Sequence, residues 1–186
     1  MRPLTVLALL AVMTAAPAFA QTFAIDPVHT SLLFKVKHFD TSNFYGRFRR
    51  VGGNVTVTDG RPSALEVTAE ADSVDTNNRD RDAHLAGPDF FDAKQFPAIT
   101  FKAKTFTPAG EAAFKVDGDL TLHGVTKPVT VTLTRTGQGK NVKGTDIVGY
   151  ETTLTIRRTD FGVSGYVSQG IGDDVTLIVS IEGVRQ

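Results

Sequence analysis

Leu65-Glu66-Val67-Thr68-Ala69-Glu70-Ala71 alternates apolar and polar side chains without a fault. Successive side chains of a strand point to opposite faces, so Leu65, Val67, Ala69 and Ala71 share one face and Glu66, Thr68 and Glu70 the other. A half-buried strand follows, and with it a sheet that has one dry and one wet side. Upstream, Asp59-Gly60-Arg61-Pro62 reads as a turn. Asn43 to Thr58 reads as a strand bent at Gly52-Gly53, where glycines mark a bulge or sharp corner. Thr30 to Phe39 places Leu32, Phe34, Val36 and His38 on one parity. Downstream, Arg79 to Ala86 is the most helix-like segment and stops at Gly87-Pro88. Asp89 to Phe96 is short and aromatic. Strands then follow at Ile99 to Phe106, Ala113 to Leu122, Val129 to Thr136, Asp146 to Arg158 and Val175 to Val184. Their separators are Pro108-Ala109-Gly110, His123-Gly124, Gly137-Gln138-Gly139 and the glycine-rich run from Gly162 to Gly172.

The pattern is all-β: eight strands with one short helical insertion. Hairpin spacing without intervening helices predicts antiparallel pairing. Eight such strands close into a barrel without edges, and a two-sheet sandwich leaves nearly the same signature.

The first residues address the compartment. Arg2, the apolar stretch Leu4 to Ala16 and the small residues flanking Phe19 in Ala18-Phe19-Ala20 form a secretory signal pattern, with cleavage expected after Ala20. The apolar stretch is shorter than the roughly 20 residues a membrane-spanning helix needs, and no later segment is long enough. Residues 1–20 are therefore expected to be a signal peptide and 21–186 a single exported domain, periplasmic or secreted. The chain has no cysteine, which excludes disulfides, thiolate nucleophiles and thiolate metal sites. A formal net charge of +0 with scattered charges gives no footprint for nucleic acid or an anionic membrane. With no tryptophan, thirteen phenylalanines carry the aromatic burial.

Several segments, in order across nearly the whole chain after residue 20, resemble the YceI-like, or polyisoprenoid-binding, family. They are Ile25-Asp26-Pro27-Val28-His29-Thr30-Ser31, Phe34-Lys35-Val36-Lys37-His38, and Arg79-Asp80 leading into His84-Leu85. Asp89-Phe90-Phe91-Asp92, Phe96-Pro97 and Thr100-Phe101 follow, then Gly118 to Val129 and Arg158-Thr159-Asp160-Phe161-Gly162. The resemblance implies an eight-stranded, lipocalin-like barrel over the sandwich, export to the periplasm, and an elongated apolar pocket for an isoprenoid or similar long-chain amphipathic lipid. It implies no cofactor beyond a bound isoprenoid lipid or quinone.

Candidate pocket residues come from the inward parity. Phe34, Phe44, Phe48, Phe101, Phe114 and Phe161 fall there, with Val36, Ile99, Val116 and Leu120. Rings that cannot all meet edge to face leave a slot suited to an alkyl or prenyl chain; the plainer reading is a packed core. Phe90, Phe91 and Phe96 suit a lid over the barrel mouth, or a staple that fastens the helix. Arg79, Arg81, Arg157 and Arg158 are candidates for a head group, although Arg79-Asp80-Arg81-Asp82 also reads as a self-paired helix start. His38 is expected to be buried, as a satisfied core residue or a ligand contact. His84 is expected to pair with Asp80, His29 to orient a loop and His123 to sit in a turn. Their spacings match no zinc pattern, so no metal site is expected.

Gly162-Val163-Ser164-Gly165 lacks a spacer of the serine-hydrolase elbow. Arg79 and Asp80 break a calcium-loop reading of Asp75 to Asp80. Gly137-Gln138-Gly139-Lys140 lacks the hydroxyl residue of a phosphate loop and reads as a hairpin turn. With no catalytic residue assigned, a binding protein is the expectation. Two alternatives accompany it: an enzyme on an amphipathic isoprenoid-like substrate using His38, His84 and nearby aspartates as acid and base, and a stress-response module that binds another protein. Outward threonines such as Thr130, Thr132 and Thr134 speak against the last. The sequence is compatible with a monomer or a homodimer.

Overall fold

Strand formation begins earlier than the pattern predicts. The computed structural model describes residues 19–186 and opens with strand β1 (Ala20–Ile25), which places Phe23 and Ile25 in the core. The expected signal peptide lies almost wholly outside the described residues. β1 and β2 (Ser31–His38) follow each other along one edge of β11 (Ile171–Arg185). β3 (Ser42–Phe48) and β4 (Val51–Thr58) also lie end to end, β3 on β2 and β4 on β1. β5 (Arg61–Glu70) and the short β6 (Val74–Asp75) repeat the arrangement against β4 and β3. β7 (Ala98–Pro108), β8 (Ala113–Leu122), β9 (Val125–Lys140) and β10 (Asp146–Arg157) are each continuous.

Counting each broken pair once leaves eight antiparallel strands, and the pairing of β1 with β11 closes them into a barrel. The barrel is the expected fold. Two boundaries differ from the sequence reading. Arg61 and Pro62 belong to β5, so the turn is Asp59-Gly60 alone, both residues in the left-handed region at φ 50 and 76. Gly137, Gln138 and Gly139 continue β9, paired with Gly149, Val148 and Ile147, and the hairpin turn follows at residues 141–145. His123 and Gly124 do form the β8–β9 turn, at φ 52 and 74.

Helix α1 (Arg79–Leu85) stands at the upper end, between β6 and β7. Asn78 caps it by accepting the Arg81 backbone N–H at 3.0 Å. Arg79 to Asp82 are not a self-paired surface cluster. Arg81 donates to the Thr76 hydroxyl and carbonyl, each at 2.8 Å, and lies 4.5 Å over the Phe44 ring. Asp82 accepts the Thr76 N–H and hydroxyl. Thr76 is buried, so this knot ties the insertion to the barrel rim. Two apolar clusters fill the interior: a large one around Val55, Val116, Leu133 and Tyr150, and a smaller upper one around Leu122, Phe161 and Val163.

Candidate ligand-binding cavity

The inward faces of the strands meet around a hollow of about 170 Å³. Its floor is set by Leu65, Leu133, Thr152 and Ile181, and its mouth by Leu85, Phe90, Phe91, Arg158 and Ile171. The wall between them comes from alternate residues of each strand, such as Leu154 and Ile156 on β10 facing Leu177 and Val175 on β11. Nearly every lining atom is apolar. Two backbone economies make room: Gly46 lies opposite Phe34 and Gly118 beside Phe101. A methyl at Gly46 would overlap the Phe34 ring, and one at Gly118 would come within 2.7 Å of Phe101 Cζ.

Of the residues singled out by sequence, Phe34, Val36, Phe48, Phe90, Phe91, Ile99, Phe101, Leu120 and Arg158 line the hollow. Phe114 is buried in the larger cluster and Phe161 in the upper one, outside the lining. Phe44 packs against the core under Arg81. Arg79 is exposed on α1. His38 is not the buried residue that parity predicts: β2 ends there, at the rim, and the side chain is exposed beside Phe39. His84 pairs with Asp89, at 3.1 Å, and not with Asp80. Phe96 lies on His123, ring centroids 4.6 Å apart, and fastens the insertion to the β8–β9 turn.

The parity argument weighted aromatic residues and so passed over the aliphatic wall. Leu154, Ile156, Val175, Leu177, Val179 and Ile181 alternate as cleanly as Leu65 to Ala69 and carry most of the β10–β11 side. Thr152 interrupts that wall. Its hydroxyl is buried and has no partner, as is that of Tyr150 two residues earlier. Burial raises the Tyr150 pKa, with Arg135 opposing it.

Away from the hollow, Asp26, His29 and Glu182 converge at the break between β1 and β2, their ligand atoms within 4.8 Å of one another. His29 Nδ1 lies 2.8 Å from Asp26 and 3.6 Å from Glu182. The Asp26 hydrogen bond raises the His29 pKa, and the same bond lowers that of Asp26. Histidine spacing alone did not show this convergence, because its other members are acids, Asp26 three residues before His29 and Glu182 from the distant strand β11.

A family model described as the YceI-like domain matches residues 23–183. The chain belongs to the YceI-like family. A UPF0312 protein of Pseudomonas aeruginosa strain LESB58 is 38% identical over 183 residues, covering 95% of this chain and 93% of its own. One from Pseudomonas putida strain W619 is 34% identical over 180 residues, with the same coverage. Among solved structures, Burkholderia cenocepacia BcnA superposes with a TM-score of 0.76 at 23% identity, covering 85% of this chain and 98% of BcnA. A polyisoprenoid binding domain from Saccharophagus degradans, implicated in plant cell wall breakdown, superposes with a TM-score of 0.70 at 14% identity, covering 89% and 99%. Both share the YceI-like barrel.

Proposed function

We propose that this YceI-like protein is an exported, periplasmic carrier of a long-chain isoprenoid or similar amphipathic lipid, whose tail occupies the barrel interior. The observation that carries the reading is the apolar hollow of about 170 Å³ with its mouth beneath Phe90 and Phe91. An apolar cavity of about 150 Å³ in another protein stays dry and takes up benzene. By that measure the hollow accommodates roughly one prenyl unit as it stands, worth about 3–4 kcal/mol at 0.8 kcal/mol per methylene. Association costs about 4–15 kcal/mol, so net affinity needs several units. A longer tail asks the side chains of the lining to yield, Phe90 and Phe91 at the mouth among them. The likeness in fold to a polyisoprenoid binding domain supports the ligand class.

Binding without catalysis fits the lining. An enzyme on such a substrate needs an acid or base beside it, and among the described residues no histidine, aspartate or glutamate lines the hollow. Native mass spectrometry of the purified protein, followed by lipid extraction, tests the reading. A co-purifying prenyl lipid, or uptake of one added, is expected. Protein recovered empty and unable to take up any prenyl lipid overturns it.

A further inference from the structure

Arg158 is the one charged residue that lines the hollow, and the one charged residue among the buried residues described. Only 5% of its surface is exposed. Its Nε donates to the Gly172 carbonyl at 2.8 Å, Nη1 to Val163 at 3.0 Å and Nη2 to Ile171 at 2.9 Å. A guanidinium has five N–H donors, so one on Nη1 and one on Nη2 remain after these bonds.

None of the ion pairs among the described residues involves Arg158. The acid beside it, Asp173, is engaged by Arg157 and by the Thr159 backbone and hydroxyl. Asp89, on the insertion above, pairs with His84. Arg158 therefore holds a full charge against neutral carbonyls in an apolar wall, an arrangement that desolvation penalises. Burial lowers its pKa, with Asp173 opposing it. Fastening the Gly162–Gly172 loop accounts for the carbonyl bonds. It does not account for the position of the charge in the wall of a lipid-sized hollow.

The surroundings are those of a head-group seat. The Phe90 ring centroid lies 5.9 Å from Arg158 Cζ. Phe90 stacks on Tyr166 at 5.8 Å with an interplanar angle of 7°, and His84 meets both rings edge-on. One fixed cation thus stands at the mouth, beside an aromatic clamp and at the opposite end of the hollow from Leu133 and Ile181.

Resting on the carrier reading above, we infer that Arg158 binds an anionic head group, so that the barrel selects amphiphiles whose apolar chain ends in an oxyanion. Phosphate and carboxylate share this chemistry: both accept charge-assisted hydrogen bonds from a guanidinium, and such bonds strengthen where water is excluded.

Calorimetric titration of the lipid-free protein at pH 7 compares farnesyl phosphate with farnesol and dodecanoate with dodecanol. At least one anion is expected to bind about tenfold or more tightly than its alcohol. The pair showing the preference names the head-group class. In Arg158→Gln the preference is expected to fall to near unity. Alcohols that match or exceed their anions in the unaltered protein overturn the inference and leave the carrier reading intact; that comparison holds even where the variant does not fold. A preference that survives in folded Arg158→Gln also overturns it. Failure of all four compounds to bind overturns both readings.

Discussion

Replacing Leu177 by phenylalanine builds three more carbons into the hollow from β11, opposite Leu154 on β10. An unfilled apolar cavity costs about 24 cal/mol per Å³ of stability. For a hollow of about 170 Å³ that is about 4 kcal/mol, available to whatever fills it. Three added carbons recover about 2.4 kcal/mol by burial. Strain from a larger side chain takes back about 1–3 kcal/mol. The unfolding temperature of Leu177→Phe is therefore expected within about 5 °C of the parent, at about 2–4 °C per kcal/mol for a domain of this size. The lipid fares differently. A tail that loses room for three carbons loses about 2.4 kcal/mol, or about 50-fold in affinity. Thermal unfolding by circular dichroism and titration with farnesyl phosphate measure the two effects on one sample. A fall of more than about 10 °C would mean that the interior is already packed solid. Unchanged affinity at unchanged stability would mean that the chain lies elsewhere.

Gly118→Ala is expected to lose about 1–3 kcal/mol in urea unfolding, because its methyl meets the Lys102 carbonyl at 2.6 Å and the Phe101 ring at 2.7 Å. Gly137→Ala, in open space, is expected to stay within about 0.5 kcal/mol, and equal losses at the two positions would refute the packing argument. Tyr150→Phe and Thr152→Val each remove a buried hydroxyl without a partner, so urea midpoints are expected to hold or rise. A loss above about 1 kcal/mol in either would show that the hydroxyl is bonded after all. The Asp173 carboxyl is held below its ordinary value of 3.8, first by the Thr159 backbone N–H and then by the Thr159 hydroxyl and Arg157. Its contribution to stability is present above that ordinary value and is lost as pH falls through the lower folded one. Unfolding measured at pH 6, 4 and 3 is expected to show a steeper acid loss in the parent than in Asp173→Asn, and parallel curves would sink the assignment.

The antiparallel strands were legible because hairpin strands declare themselves by alternation, eight of them between Thr30 and Val184, and it was the resemblance to the YceI-like family that implied the barrel over the sandwich. The errors fall where a local signal opposed a longer-range one. Gly137-Gln138-Gly139 has turn composition, yet the ladder with β10 carries it as strand, a pairing that local composition does not contain. The β1 alternation of Gln21, Phe23 and Ile25 is only six residues long and abuts the signal pattern, so the closing strand went unread. In the site, parity placed Phe34 and Phe101 correctly because each lies well inside its strand, and Phe48 because this last residue of β3 still pairs with Leu32 of β2. His38 shows the limit of the same argument. Parity persists to the last residue of β2, but burial does not, because by then the chain has climbed past the rim. Arg158, a head-group candidate by sequence, shows the reverse: it follows the end of a strand, yet it is buried, its guanidinium bonded to the carbonyls of Val163, Ile171 and Gly172, a fold-back that composition does not contain.

The two ends of the barrel differ, and on the carrier reading proposed above that difference sets where a lipid enters. The lower end is closed by tight connections, Asp59-Gly60 and residues 109–112 and 141–145. The two long connections, residues 76–97 and 158–170, both lie at the upper end. The first is anchored at both of its ends, through Thr76 with Arg81 and Asp82, and through Phe96 on His123. Between those anchors, the Phe90 and Phe91 N–H groups bond to Gly87 and Leu85 within the insertion, and their side chains meet the neighbouring elements in ring contacts with Tyr166 and Phe48. Ring contacts slide at little cost, whereas a buried hydrogen-bonded knot does not. On the carrier reading, passage of a chain therefore asks only the middle of the insertion to move, and the walls of the barrel keep their ladder bonds.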